Sequence, residues 1–188
     1  HRIHEARDHF APVTTSLPPD ETIDARGLVI APGFIDMHSH GDFSLPREPE
    51  ARAKVLQGVT TEVIGNCGLG LHPSNHKVDE LYERIAPIVF GESGAMCSAT
   101  LADYRARLEL AGISVNAAPL IAHGNVRGVV MGMSEADPTE TEIAAMRDLV
   151  AEGMSQGAYG LSTGLVYAPG AYAKTEELVR LSEIVAAS

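Results

Sequence analysis

Only two cysteines, Cys67 and Cys97, occur in 188 residues. Two thiols are too few for a disulfide framework, so a reducing compartment or a metal-ligand role fits at least one of them. Basic residues are scarce too, with 14 Lys and Arg against 25 Asp and Glu and a formal net charge of −11. No basic patch forms, which argues against phosphate-backbone binding and removes nucleic acid as an expected partner. No run of about 18 apolar residues exists, so no membrane span is expected and a cytoplasmic location fits best. The first residue is histidine rather than methionine, so a signal peptide ahead of it would be invisible. Aromatics are few at 5%, and 45% hydrophobic content fits one sizeable core of a soluble α/β protein.

What is present gathers around Ala31-Pro32-Gly33-Phe34-Ile35-Asp36-Met37-His38-Ser39-His40-Gly41. It reads as a buried apolar strand between a Pro-Gly turn and a terminating glycine. Side chains at i and i+2 share a strand face, so His38 and His40 emerge together with Asp36 one step below. Such a pair at a strand's C-terminal end is half of a metal site. Val59-Thr60-Thr61-Glu62-Val63-Ile64 is β-branched enough to be the next buried strand, and it leads into Gly65-Asn66-Cys67-Gly68. As a thiolate Cys67 suits zinc and joins His38 and His40 in a Cys/His set; its plainer reading is a small buried hydrophobe. Cys97 has no such neighbours and reads as inert.

Residues 1–20 hold His1, His4 and His9 without a period that predicts a packed element, and read as a surface segment. From residue 21 a short strand and a glycine turn enter the main domain, giving an expected division into 1–30 and 31–188. Thereafter strand and helix alternate four times. Helices are expected over Pro49 to Leu56, Val78–Ala86 and Leu101–Leu110, the last closed by Gly112. A third strand over Ile113 to Ile121 delivers His123. The next helix is announced by the capping box of Thr139 and Glu142 and an apolar face of Ile143, Met146, Leu149, Val150 and Met154. A fourth strand, Ala158 to Ser162, and a helix over Thr175 to Ala187 follow. This order predicts parallel strands with right-handed crossovers, and the polar residues fall at the strands' C-terminal ends, where a (β/α)₈ barrel builds its active site. Four units are about half of such a barrel, so the chain reads as a fragment.

Gly160-Leu161-Ser162-Thr163-Gly164 matches the nucleophile elbow of serine hydrolases. That elbow needs a helix directly after the serine and a later histidine. Here a loop follows, Leu165 to Gly170, and no histidine lies beyond His123. Gly65 to Gly70 is glycine-rich but lacks the order of a dinucleotide loop.

Pro-Gly-Phe-Ile-Asp-Met-His-Ser-His, Gln57-Gly-Val-Thr-Thr-Glu-Val-Ile-Gly-Asn-Cys-Gly and Leu161-Ser-Thr-Gly-Leu-Val-Tyr-Ala-Pro-Gly-Ala-Tyr together resemble the N-acyl-D-amino-acid deacylase (D-aminoacylase) branch of the amidohydrolase superfamily, from about Ile23 to the end. The His-x-His marks the superfamily, and the other two blocks mark the branch. The resemblance implies an amidohydrolase-type (β/α)₈ barrel, about its first four βα units present, beside a remnant of a small β-sandwich. It implies one or two zinc ions at the barrel mouth, with His38, His40 and Cys67 as ligands. Cys67 would take the place of the carboxylated lysine of many amidohydrolases, and the fourth strand here carries no lysine.

The resemblance also implies hydrolysis of the amide of a small N-acyl-D-amino acid. Two further metal-binding histidines and the general-base aspartate would fall after Ser188, leaving no catalytic residue within the chain and a fragment inactive alone. Tyr167 is a candidate for binding substrate or oxyanion, or else packs under Pro169. His123 and Arg127 are candidate pocket residues, with Arg127 suited to the substrate carboxylate; a structural ion pair explains Arg127 equally well. The alternatives are a cyclic-amidase or dihydroorotase-like enzyme, which a lysine bridging the metals would favour, and a non-catalytic metal-binding half-barrel.

Overall fold

Parallel strands alternating with helices carry the molecule, as the periodicity predicts. The computed structural model describes residues 2–4, 22–89 and 97–188. Contacts divide the chain into His1–Gly33 and Phe34–Ser188. In the first unit β1 (Arg2–His4) pairs in parallel with β2 (Thr22–Asp24). The expectation of no packed element in residues 1–20 is therefore corrected at Arg2–His4. Three residues are too short for period-two patterning to show, and the partner lies about twenty positions away. His1 and His9 lie outside the described residues.

In the second unit β3 (Phe34–Asp36), β4 (Val59–Ile64) and β5 (Asn116–Pro119) form one parallel sheet, and β6 (Ile121–Ala122) pairs in parallel with β7 (Leu161–Ser162). The single third strand expected from Ile113 to Ile121 is divided. Asn116–Pro119 follows β4, after which the Leu120 N–H still reaches the Ile64 carbonyl at 2.9 Å. Ile121 then turns its N–H to Gly160, at 2.8 Å, and pairing passes to β7.

The helices are α1 (Arg52–Val55), α2 (His76–Val89), α3 (Leu101–Ala111), α4 (His123–Met131), α5 (Glu140–Ser155) and α6 (Thr175–Ala187). Chemistry at their ends explains several boundaries. Thr100 accepts the Asp103 N–H at 3.1 Å to start α3, and Gly112, at φ 71°, ends it in the left-handed region that glycine enters without steric cost. Thr139 and Glu142 bond reciprocally at the start of α5. Its expected face is borne out: Ile143, Met146 and Val150 are buried, while Leu149 and Met154 pack half-buried against the same core.

Two further expectations are corrected. The first strand is neither long nor buried: it stops at Asp36, and Phe34 and Ile35 are each 59% exposed. Among the described residues β3 pairs with β4 alone, so it is an edge strand whose apolar faces are open. Helix α4 stands where the sequence carries no helix signal, because two glycines and three valines in nine residues give it poor intrinsic propensity. It forms in a fully packed setting, with Val126 at 0% exposure and Asn125 donating to Gly70 and Pro73 carbonyls at 2.7 and 3.1 Å. Tertiary contacts supply what the local sequence lacks.

Candidate metal centre

Asp36 turns the chain at the end of β3. Its Oδ1 accepts the His38 N–H at 3.1 Å, which breaks the strand so that His38 and His40 leave from a turn rather than from one strand face. The turn keeps company with β4 all the same, since the Ser39 N–H reaches the Val63 carbonyl at 3.1 Å. The second half of the site follows β4, where Asn66–Gly68 forms one 3₁₀ turn and Cys67 adopts φ 58°, ψ 21°. A left-handed conformation costs a non-glycine residue about 1–2 kcal/mol, so the surroundings must impose it.

Several contacts do so. Asn66 Nδ2 donates to the Val63 and Ser39 carbonyls at 2.8 and 3.2 Å, tying the two turns together. Ser162 Oγ accepts the Gly68 N–H at 3.0 Å and donates to the Gly65 carbonyl, gripping the Cys67 turn from both ends. A Cβ on Gly164 would lie 2.1 Å from the Cys67 carbonyl oxygen, so glycine is required where the two loops touch. The Gly-x-Ser-x-Gly sequence is thus a clamp on the cysteine turn, and no helix follows Ser162 directly.

The result is convergence. His38 Nε2 lies 3.2 Å from Cys67 Sγ, and the His38 and His40 rings stand edge to face with centroids 5.8 Å apart. One ligand atom from each of His38, His40 and Cys67 lies within 4.8 Å of the others. Burial pushes the His40 imidazole below its ordinary pKa, and the nearby His38 adds to this, which favours the neutral ring that carries a lone pair. Two imidazoles and one thiol at such separations fit a borderline-soft divalent ion.

The three substrate candidates part company. His123 and Arg127 are both at 0% exposure and share Glu177 of α6. His123 Nε2 meets Glu177 Oε1 at 2.7 Å, and its Nδ1 meets the Thr163 hydroxyl at 3.2 Å. Arg127 pairs with Glu177 Oε2 and donates to the Ser134 and Ala136 carbonyls at 3.2 and 2.8 Å. The reading of Arg127 as a fork for a substrate carboxylate is corrected: a carboxylate of the chain already occupies it. His123, buried between Glu177 and Thr163, braces the Thr163 loop instead of lining an open pocket. Tyr167 is 43% exposed.

Sequence reasoning missed Lys54, Ser39, Glu62, Asn66 and Glu177. One signal was available: Glu62 stands in an otherwise apolar or β-branched strand, and a buried carboxylate demands a cation or donors nearby. Cys97 is half-buried, and burial pushes its thiol up to about 12.

Comparison with known proteins agrees with this architecture. The Amidohydrolase family profile matches residues 21–187. D-aminoacylase of Alcaligenes xylosoxydans xylosoxydans is 43% identical over 160 residues, covering 85% of this chain and 32% of that protein. N-acyl-D-glutamate deacylase of the same organism is 36% identical over 173 residues, covering 92% and 34%. The chain therefore spans about a third of the length of these relatives. Among solved structures, that of N-acyl-D-glutamate deacylase from Bordetella bronchiseptica, complexed with zinc and a phosphonate inhibitor, superposes with TM-score 0.81 at 36% identity over 92% of this chain and 35% of that one. A crystal structure of D-aminoacylase gives TM-score 0.79 at 37% identity over 88% and 34%. The matching backbone, the family profile and the Cys/His cluster agree: the fold is of the amidohydrolase type, and the chain belongs to the Amidohydrolase family.

Proposed function

We propose that the protein carrying this chain is a zinc-dependent amidohydrolase that cleaves N-acyl-D-amino acids to a carboxylate and a D-amino acid. The observation that supports this best is the convergence of His38, His40 and Cys67 just beyond neighbouring parallel strands, in a chain 43% identical to a D-aminoacylase. The solved N-acyl-D-glutamate deacylase is complexed with zinc, and another D-aminoacylase structure is described with a binuclear metal centre. A bound zinc ion would supply Lewis acidity, polarising the substrate carbonyl and lowering the pKa of water.

The chain's own residues prepare that chemistry. Burial keeps His40 toward its neutral form, and Ser162 with Asn66 holds the Cys67 turn in the left-handed conformation that brings its sulfur toward the imidazoles. Tyr167 is the one substrate candidate of the three with a side chain open to solvent, so its hydroxyl is the group available to meet a substrate oxygen. Cys67, rather than a lysine, stands among the histidines, which favours this reading over a cyclic-amidase one.

The test is an assay of the full-length protein on N-acetyl-D-methionine and N-acetyl-L-methionine side by side, before and after chelation. The D form should be cleaved faster by roughly 100-fold or more, with activity lost to a chelator and restored by zinc. Preference for the L form, or turnover indifferent to chelation, contradicts the proposal.

A further inference from the structure

Beneath the His38–His40 turn lies a charged cluster that the proposed chemistry does not use. Glu62, 1% exposed in β4, is opposite Asp36 in the register of β3 and β4. Two carboxylates on adjacent strands repel unless a cation stands between them. Lys54 of α1 supplies it. Its ammonium pairs with Asp36 Oδ2, lies 3.5 Å from Glu62 Oε2 and sits 3.4 Å from Ser39 Oγ.

Two of these partners, Asp36 and Ser39, accept hydrogen bonds from the backbone that carries the imidazoles, and Glu62 holds Ser39. Asp36 Oδ1 accepts the N–H of His38. Ser39 Oγ donates to Glu62 and accepts the N–H of Gly41 at 3.0 Å. The space is full, because a Cβ on Gly41 would lie 2.5 Å from Glu62 Oε2. The backbone is therefore fixed at His38 and again directly after His40, and both ties lead back to one ammonium.

We infer that Lys54 is a positioning residue for the metal centre: it holds Asp36 and the Ser39–Glu62 pair in place, and through them sets the turn that presents His38 and His40. The inference rests on the metal-site reading above. Lys54 contacts neither imidazole in this network, so its influence runs through its partners, as with outer-layer residues of metal sites whose loss costs about 10- to 100-fold in metal affinity.

The experiment uses the full-length protein, as wild type, Lys54→Met, Lys54→Arg and the double variant Lys54→Met/Glu62→Gln. Zinc affinity is read by competition with a chromophoric chelator, coordination by the visible spectrum of the cobalt(II) form, and folding by thermal melting of the metal-free proteins. Lys54→Met should bind zinc about 10- to 100-fold more weakly, with altered cobalt bands. Lys54→Arg should recover most of both. Removing the buried charge of Glu62 should restore melting in the double variant while zinc binding stays weak, since the Asp36 tie is still missing. Should Lys54→Met fail to fold, the double variant carries the test. Wild-type affinity and wild-type cobalt bands in a folded variant lacking Lys54 would overturn the positioning role and leave the metal site standing. A wild type that binds no zinc would overturn the site reading and this inference together.

Discussion

His72 illustrates how completely burial sets the chemistry of a single side chain. It is 3% exposed with its ring 5.5 Å from that of Tyr104, and burial pushes the imidazole down to about 4. The folded state thus holds it neutral, while the unfolded chain titrates near 6.5. The contribution to stability is complete above 6.5 and is lost as pH falls from there toward 4, by a total on the order of 3 kcal/mol. Urea unfolding at pH 7 and pH 4 should show His72→Gln losing less stability over that interval than wild type; parallel losses would contradict this. The same burial was only partly legible in the sequence. The spacing of His38 and His40, and Cys67 after the next strand, could be read directly because each follows a strand end. The fate of Arg127 could not, since Glu177 lies 50 positions further on and only folding brings the two together.

Among the elements, those whose ends carry their own signals were legible and those made by their neighbours were not. Strand β4 and helix α6 lie where β-branching and apolar periodicity put them, and α5 begins at its capping box. In that box Thr139 accepts the Glu142 N–H at 3.3 Å, and Glu142 accepts the Thr139 N–H at 2.7 Å. Thr139→Ala should cost about 1 kcal/mol in chemical denaturation, with the metal centre untouched. A loss below a few tenths would mean that packing alone places the start of α5. Helix α4 is the opposite case: its sequence, His-Gly-Asn-Val-Arg-Gly-Val-Val-Met, is a poor helix in isolation and a good one between Tyr82, which donates to Asn125 Oδ1 at 2.8 Å, and α6, where Glu177 takes both His123 and Arg127. The 3₁₀ turn at Cys67 belongs to the same class, because its left-handed residue is dictated by Ser162 and Gly164, nearly a hundred residues away.

At the scale of the molecule, the alternation of strands and helices was enough to give parallel sheets and to predict that chemistry gathers at the strands' C-terminal ends. Length of apolar run was a poorer guide: Phe34 and Ile35 read as buried and are exposed on an edge strand, and Met37 is exposed just past its end. Among the described residues no helix is long and apolar enough to cross a membrane. One cluster is drawn from two neighbouring βα turns, clamped on the cysteine side by Ser162 and braced on the histidine side by Lys54. Its most direct test is zinc content, measured by elemental analysis on purified full-length wild type, Cys67→Ala and Cys97→Ala. Wild type and Cys97→Ala should retain zinc equally while Cys67→Ala loses most of it, because only Cys67 lies beside His38 and His40. Equal loss in the two variants, or full retention in Cys67→Ala, would contradict the assignment of this site.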